Sequence, residues 1–583
     1  MENIKINTSL TSLPDEIISL ILTNIEPRDI IRFSLTCKRF YDIVINNDYL
    51  WKIKYSEMLP KEIVTVVEEN SCIWLREMIQ YYKLKKKIFI ELVSMSPKSF
   101  WRVYEVSIED VRSFFAFATE TNLSFYYTVH ILQGIVKKGT KILDALTIVK
   151  PLYTLTVMYY TKIVLRHLIQ TYLAIKWVKL HMRNMLTPEI VITFFLQWID
   201  PINIYTDEEV EFKIQGLVEK VKNVLKENSK NSNEKEDFKY SDKEVLLALT
   251  QVIYKDEKFS VCASTKVKTL NLVKVIDESN GNIITYAVIY HAVAKRLGVK
   301  CDLIAFPNHL FLEWKNNEDP STPLFTIDLI TGSVNPKRRC PFSQSASSEY
   351  EYVPDSLLQY IYSSYMKSKG AIRDCKTQNA IHLLDFLGTR HINHNPYKNF
   401  FTYLIEHSDT PVMDTPLNMT YIHDVHLQML VALANLNPAP EVAYHTVKQH
   451  FQVSVKKHRS YVTFAVGMIC YHKVYNYMCI ILGWELDGSH LRIPTEDNLG
   501  LGRDQPFYRV IAGDQSERYV AQENLMAVTT PFRIHRLEDH IAREFTHFDG
   551  FSYVPNNEKI LEYPKEQLIT EVFRKRFVNV SIP

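Results

Sequence analysis

Residues 12–51 read SLPDEIISLILTNIEPRDIIRFSLTCKRFYDIVINNDYLW, and the rest of the chain is best read outward from them. Pro14 stands where a first helical turn tolerates a residue without an amide proton, and Asp15 and Glu16 set negative charge against the positive end of the helix dipole. Leu13, Ile17, Leu20 and Ile21 form one apolar stripe. Pro27 and Asp29 restart a second helix, for which Ile30, Ile31, Phe33, Leu35 and Phe40 supply buried positions. Such short helices bury little surface by themselves, so the module gains from a partner.

The order LPDEII, EPRDIIRFSLTCKRFYDIV and LWK resembles the F-box family closely. In that family the module docks on the Skp adaptor of a cullin-RING ubiquitin ligase. The resemblance implies that Leu13, Pro14, Ile17, Leu20, Ile30 and Ile31 contact the adaptor and that Trp51 closes the module's own core. A cullin and protein substrates would be the further partners.

With 583 residues the chain exceeds what one hydrophobic core organises, and about three to five domains are expected. The 68 basic residues nearly balance the 66 acidic ones, so net charge gives no support to nucleic-acid binding. Eight cysteines are scattered singly without a CxxC pair, which suits free thiols in a reducing compartment. The first ten residues lack the apolar run of a signal peptide. The apolar stretch Leu152–Val178 is interrupted by Lys162, Arg166, His167 and Lys176, which makes a membrane span costly and a buried or amphipathic helix the better reading. No membrane partner and a cytoplasmic or nuclear location follow.

Leu270–Trp314 reads LNLVKVIDESNGNIITYAVIYHAVAKRLGVKCDLIAFPNHLFLEW. A glycine turn at Gly281 opens a helix that Gly298 stops; CDLIAF and LFLEW follow as strands, and LFTIDL, a third, carries Asp328. Helix, strand with His309 and strand with Asp328 is the order of a transglutaminase or papain-like core. Such a core needs a thiol at the helix N-terminus, where the dipole and an imidazole lower its pKa. The helix start reads GNIIT instead, with Ile283 or Ile284 in the nucleophile's place. Thr285 has nothing nearby to activate it, and Cys301 lies in a strand, as a small core residue would. The segment resembles the SirB-like, transglutaminase-like domain through RLGV and PNHLFLEW, with Ile283 replacing the proline of that family's GNP or GIP turn. That family usually lacks the cysteine, so Ile283, His309 and Asp328 are expected as vestiges and no residue as catalytic.

Beyond Tyr461 strand-like alternation replaces helical spacing, punctuated by glycines, and a small SH3-like barrel is expected. VGMICYHKVYNYMCIILGWE, QPFYRV and YVAQENL resemble the YccV or HspQ-like domain, also called the hemimethylated-DNA-binding domain. From Phe464 to Leu525, Lys473, Arg492, Arg503, Arg509 and Arg518 face Glu485, Asp487, Glu496, Asp497, Asp504, Asp514, Glu517 and Glu523, a net charge of −3. A segment without surplus cations gains nothing from counterion release, so DNA is not the expected ligand. His472, Tyr475, Tyr477, Trp484 and Tyr508 are the aromatic candidates for a substrate surface.

The resulting expectation is a multidomain, predominantly α protein: an F-box at 11–55, a helical spacer at 56–180, an α+β transglutaminase-like domain at 181–340 with a linker at 226–244, a helical segment at 350–452, a β-barrel at 461–530 and a C-terminal tail at 531–583. The family resemblances together imply a substrate-recognition subunit of a Skp-cullin-F-box ligase, without cofactor or metal. A thiol hydrolase and a DNA-binding module are the alternatives. His391 and His394 lack further ligands at metal-binding spacing, and the lysine run Lys83–Lys87 reads as a solvated helix face.

Overall fold

The computed structural model describes residues 10–387 and 454–580, apart from 70–72, 102–105, 108, 122, 146–148, 204, 231–239, 307–308, 316–323, 337–351, 371–373 and 487–499. Of the helical segment expected at 350–452 only 352–370 and 374–387 are described, as the helices Pro354–Lys369 and Cys375–Leu387, and His391 and His394 lie outside the described residues. The architecture is multidomain and mostly α, as its sequence implies, in two compact units that part between Ile135 and Val136.

In the first unit, Pro14 precedes the helix Asp15–Leu22 and Pro27 opens Pro27–Ser34. The second helix does not run on to Phe40. It breaks at an extended Cys37, and Lys38–Ile45 forms separately. Arg39 causes the break to persist: its guanidinium reaches back to the carbonyls of Thr11 and Leu13 and to Asp15 Oδ1, tying the third helix to the start of the first. Ile18, Leu22, Ile30, Phe40, Val44 and Trp51 make the core, with Trp51 Nε1 donating to Val44 O at 2.7 Å. Farther along, Tyr127 donates to Glu77 Oε2 at 2.8 Å and accepts from Tyr55 at 2.5 Å, joining the helices Asp48–Met58, Trp74–Ser99 and Ser124–Asp144 through one buried relay.

The second unit is organised around the helix Leu155–Met182, capped by Thr154. Its burial matches the reading of Leu152–Val178 as an interior helix, and no helix among the described residues is long and apolar enough to cross a membrane. Because this helix packs in the second unit, the spacer expected at 56–180 does not form one body. Its later part meets the helix Pro188–Ile199, with Trp177 and Phe194 rings 4.6 Å apart and Gln170 donating to Trp198 O. The helix Ile283–Arg296 packs against an antiparallel sheet of β3 (Cys301–Phe306), β4 (His309–Trp314), β5 (Phe325–Ile327) and β6 (Val334–Pro336), in the order β3-β4-β5-β6. A short parallel bridge, β1 (Ser260–Val261) to β2 (Asn280–Gly281), precedes it.

The barrel runs β7 (Ile469–His472), β8 (Tyr477–Glu485), β9 (Phe507–Ala512), β10 (Glu517–Ala521) and β11 (Leu525–Ala527), ordered β10-β9-β8-β7-β11. Four strands meander, and the fifth returns over a 3-10 turn to pair with the first, the connectivity of an SH3-like barrel. Of the tail expected at 531–583, residues 531–580 are instead folded onto it. A helix His535–Ile541, a hairpin of β12 (Phe545–Phe548) and β13 (Tyr553–Pro555), and the helices Asn557–Glu562 and Glu566–Val580 cover the barrel. The fully buried Glu566 carboxylate accepts from Val466 N at 2.7 Å, Trp484 Nε1 at 3.3 Å and His458 Nδ1 at 2.9 Å. Glu544, held below the usual carboxylate range by Lys559 and Arg509 against the pull of burial, ties the same elements to β9.

Gly467 has φ +90° and sits against the Tyr553 carbonyl, where a Cβ would collide. Gly467→Ala should therefore lose about 1–3 kcal/mol to backbone strain and about as much again to overpacking, read as an earlier urea transition by tryptophan fluorescence. Burial alone would lower the His458 pKa, but the hydrogen bonds to Glu566 and Val462 O outweigh it and raise it. A raised folded-state pKa gives stability that is full below the unfolded value, about 6.5, and is lost as pH rises through the folded one. Wild type should accordingly lose its advantage over His458→Gln between neutral and mildly alkaline pH; a constant difference in thermal midpoint would contradict this.

Candidate docking surfaces and the helix-start site

The first helix pair keeps an apolar face outside its own core. Leu20 is 64% exposed and Leu35 is 74% exposed; Ile17 and Ile21 are also exposed, and Pro14, Leu13 and Ile31 lie at or near the surface. Ile30 is the exception among the residues expected to meet an adaptor. At 0% exposure it serves the module's interior, because the separate third helix closes over it. Leu35, expected as a buried position, is turned outward by the same break. Ile21, part of the stripe read from sequence, and Leu35 are thus further exposed apolar side chains of this module.

At the transglutaminase-like segment the structure places the three positions expected as vestiges apart in role. Ile283 is the first residue of its helix and is half-buried. Asn282 caps that helix, accepting from Ile284 N at 3.0 Å and donating to Thr265 Oγ1 at 3.2 Å. Thr285 is fully buried and donates its hydroxyl to Asn282 O at 2.6 Å, which removes it as a substitute nucleophile. His309 opens β4 at the surface, opposite Phe306. Asp328 lies just past β5 and not within a strand; its carboxylate accepts from Ile330 N at 2.8 Å and Thr331 Oγ1 at 2.9 Å, which shapes the loop to Ser333. Cys301 is buried, and burial pushes its thiol well up, beyond useful reactivity. The cysteine whose backbone reaches the helix start is Cys262, which sequence reading passed over. Its amide donates to Gly281 O at 2.7 Å, and its carbonyl accepts from Asn282. The bridge between two distant dipeptides brings it there, and no local pattern announces such a contact.

On the barrel the five aromatic candidates separate. Trp484 and Tyr508 are interior: Trp484 reaches Glu566, and the Tyr508 hydroxyl accepts from Thr463 N and Phe464 N while donating to Gln522. His472 is buried and accepts at Nδ1 from Val474 N and Tyr475 N, both at 3.2 Å, so it builds the turn between β7 and β8. Burial and then Arg518 lower its pKa, in keeping with that acceptor role. Tyr475 is exposed at the turn and Tyr477 half-exposed, its ring 4.7 Å from the Arg518 guanidinium. Val474, Leu501, Tyr519 and Met526 are also exposed, and sequence reading did not name them. Lys473 donates to Glu523 O, Arg509 pairs with Glu544, and Arg518 with Asp514, so these cations already have internal acceptors. Among the described residues no group of histidines, cysteines and carboxylates could hold a metal ion.

Residues 10–56 match an F-box-like family model, residues 208–353 the transglutaminase-like superfamily, and residues 462–551 the model described as hemimethylated DNA-binding protein YccV like. F-box only protein 21 of Pongo abelii is 25% identical over 604 residues, covering 96% of this chain and 92% of the relative. The proteins of that name from Homo sapiens and Mus musculus are each 24% identical over 611 residues, with the same coverage. No solved structure matches. The chain thus carries an F-box-like, a transglutaminase-like and a YccV-like segment in that order, and is similar to F-box only protein 21 along nearly its whole length.

Proposed function

We propose that this chain is the substrate-recruiting subunit of a Skp-cullin-F-box ubiquitin ligase. The observation that carries the reading is the apolar surface of exposed Pro14, Ile17 and Leu20 with half-buried Leu13 and Ile31, on an F-box-like module whose own core is already closed by Ile30, Phe40 and Trp51. Apolar side chains left outside a complete core are the physical signature of a docking surface. In this reading the Skp adaptor covers that face and a cullin lies beyond it. The transglutaminase-like segment and the barrel hold protein substrates, with Tyr475 and Tyr477 at the barrel's contact edge beside Val474 and Met526. Ubiquitin chemistry belongs to the ligase partners, and this chain contributes proximity and orientation. It is non-catalytic and works in the cytoplasm or nucleus. DNA is disfavoured, since the barrel's net charge is negative and Lys473, Arg509 and Arg518 have internal acceptors.

A thiol-enzyme reading has one observation behind it, the position of Cys262 beside the helix start. It is separated from the adaptor reading by labelling. An unactivated Cys262 should alkylate with iodoacetamide no faster than exposed Cys37, while Cys301, Cys470 and Cys479, the last with its thiol pushed up to about 12 by burial, stay unlabelled until unfolding. A covalent adduct from an acyl-thioester probe at Cys262, lost in His309→Ala, would establish the enzyme instead.

Affinity purification tests the main proposal. The intact chain should recover the Skp adaptor and a cullin, and Ile17→Asp with Leu20→Asp should cut recovery at least about tenfold, because buried unpaired carboxylates cost several kcal/mol. Both side chains are exposed, so the thermal midpoint should hold. Undiminished recovery would remove this face as the docking surface, and no recovery from the intact chain would remove the proposal.

A further inference from the structure

The helix Trp74–Ser99 carries the lysine run Lys83–Lys87 and buries one face through Met78, Tyr81, Leu84, Ile88, Leu92 and Met95. A helix at the surface of a folded unit is ordinarily polar on the opposite side. Here Ile79, Tyr82, Ile90 and Val93 stand out there instead, exposed by 43%, 43%, 58% and 45%. Positions 79, 82, 86, 90 and 93 recur at intervals of three and four, so they form one stripe that runs for about 21 Å, or about four turns, along the helix. Exposed Lys86 stands within the stripe and exposed Lys83 beside it.

The charges of this helix divide between its two sides. Lys87 pairs with Glu120 at 2.6 Å, and Lys85 lies over the Tyr82 ring, 5.9 Å from its centroid. Lys83 and Lys86 have no ion pair among the described residues. The two acids of the helix are engaged elsewhere: Glu77 is buried and accepts from Tyr127, and Glu91 pairs with Lys98. Glu26 comes near enough to Tyr82 to help raise its pKa but pairs with neither lysine. The stripe is therefore apolar and positive, and its charge selects what can cover it. A bilayer would have to draw in Lys86 along with Ile79, Ile90 and Val93, since the lysine lies among them. A phosphate backbone would leave the same apolar side chains against charge. An α-helix meets both demands, with apolar residues at matching spacing over the stripe and carboxylates opposite Lys86 and Lys83.

We infer that the outer face of Trp74–Ser99 docks an acidic amphipathic α-helix of a partner protein, about 15 residues long. One cation inside an otherwise apolar seam fixes the register, because only one placement of the partner sets a carboxylate against Lys86. The inference goes beyond the adaptor and substrate surfaces proposed above and depends on neither, since Leu20 and Leu35 belong to other helices.

The test is selection, on the full chain, from a displayed library of helical peptides of about five turns, randomised along one face. Peptides that bind wild type and bind Ile79→Ser with Ile90→Ser at least about tenfold more weakly report on this stripe. Both substitutions fall at exposed positions, so the thermal midpoint should hold. These peptides should be enriched several-fold in aspartate and glutamate among leucine, isoleucine and methionine at helical spacing, and added salt should weaken them. Lys83→Glu with Lys86→Glu should invert the selection, so that the same library yields lysine- and arginine-bearing helices. The inference fails if no retained peptide depends on Ile79 and Ile90, if those that do carry no surplus acid, or if the double charge reversal leaves their affinity unchanged. Sedimentation with phosphatidylserine and phosphatidylcholine vesicles checks the other occupant. Retention of wild type that is lost in Lys86→Glu would replace the helix with a bilayer.

Discussion

The second unit depends on a single helix having to satisfy two cores. Leu155–Met182 gives Leu155 and Met158 to the core of the barrel, and Thr156 donates to Phe545 O at 2.9 Å. From its later turns, Gln170 donates to Trp198 O and Trp177 packs on Phe194, so the same rod is embedded among the helices beside the transglutaminase-like sheet. A helix rises 1.5 Å per residue without slack, so the spacing between these two sets of contacts is fixed by the chain itself. A helix buried on nearly all sides can carry charges only where a partner is waiting. Lys162 finds Asp539 and Lys176 finds Asp207, and each pair ties the helix to a different neighbour.

The barrel obeys a related constraint. A five-stranded sheet whose longest strand, Tyr477–Glu485, is buried along most of its length needs a cover, and the elements between Ile534 and Val580 supply it. Glu566 is the centre of that cover: one buried carboxylate answers a backbone amide before β7, the indole of β8 and an imidazole upstream. None of these donors lies on the helix that carries Glu566. The ordering of that helix is consequently coupled to the barrel's closure, and with it the burial of Trp484 and Tyr563.

Features written into adjacent residues were legible in the sequence. Pro14, Asp15 and Pro27 mark helix starts by local chemistry, and alternation through Met468–His472 and Tyr477–Ile481 marks two strands whatever surrounds them. What depended on distant partners was not. Phe33, Leu35 and Phe40 share a helical spacing, yet Arg39 reaching across to Leu13 and Asp15 stabilises a break that sends Leu35 outward. Trp484 and Tyr508 stand among the candidates for a surface, and what closes them in is distant in sequence: Trp484 meets Glu566 and Tyr563, and Tyr508 meets Phe464 and Gln522. Residues 531–583 read as a tail because their short hairpin and helices carry little pattern of their own until the barrel is present to receive them.

The distribution of satisfied and unsatisfied groups explains why recognition, and not chemistry, is the proposal. A thiolate at a helix start is stabilised by amides left open to it, whereas here Asn282 occupies the Ile284 amide and its carbonyl takes the Thr285 hydroxyl. The barrel's Lys473, Arg509 and Arg518, which would have to meet phosphates, are committed to Glu523 O, Glu544 and Asp514. What the chain leaves exposed is apolar: Leu20 and Leu35 on the first module, Val474 and Met526 on the barrel, and Phe212 on the helix Asp207–Lys230. Surfaces of that kind gain free energy by covering other polypeptides. In the proposed reading, their placement on separate elements lets one end of the chain be anchored while another holds a second protein.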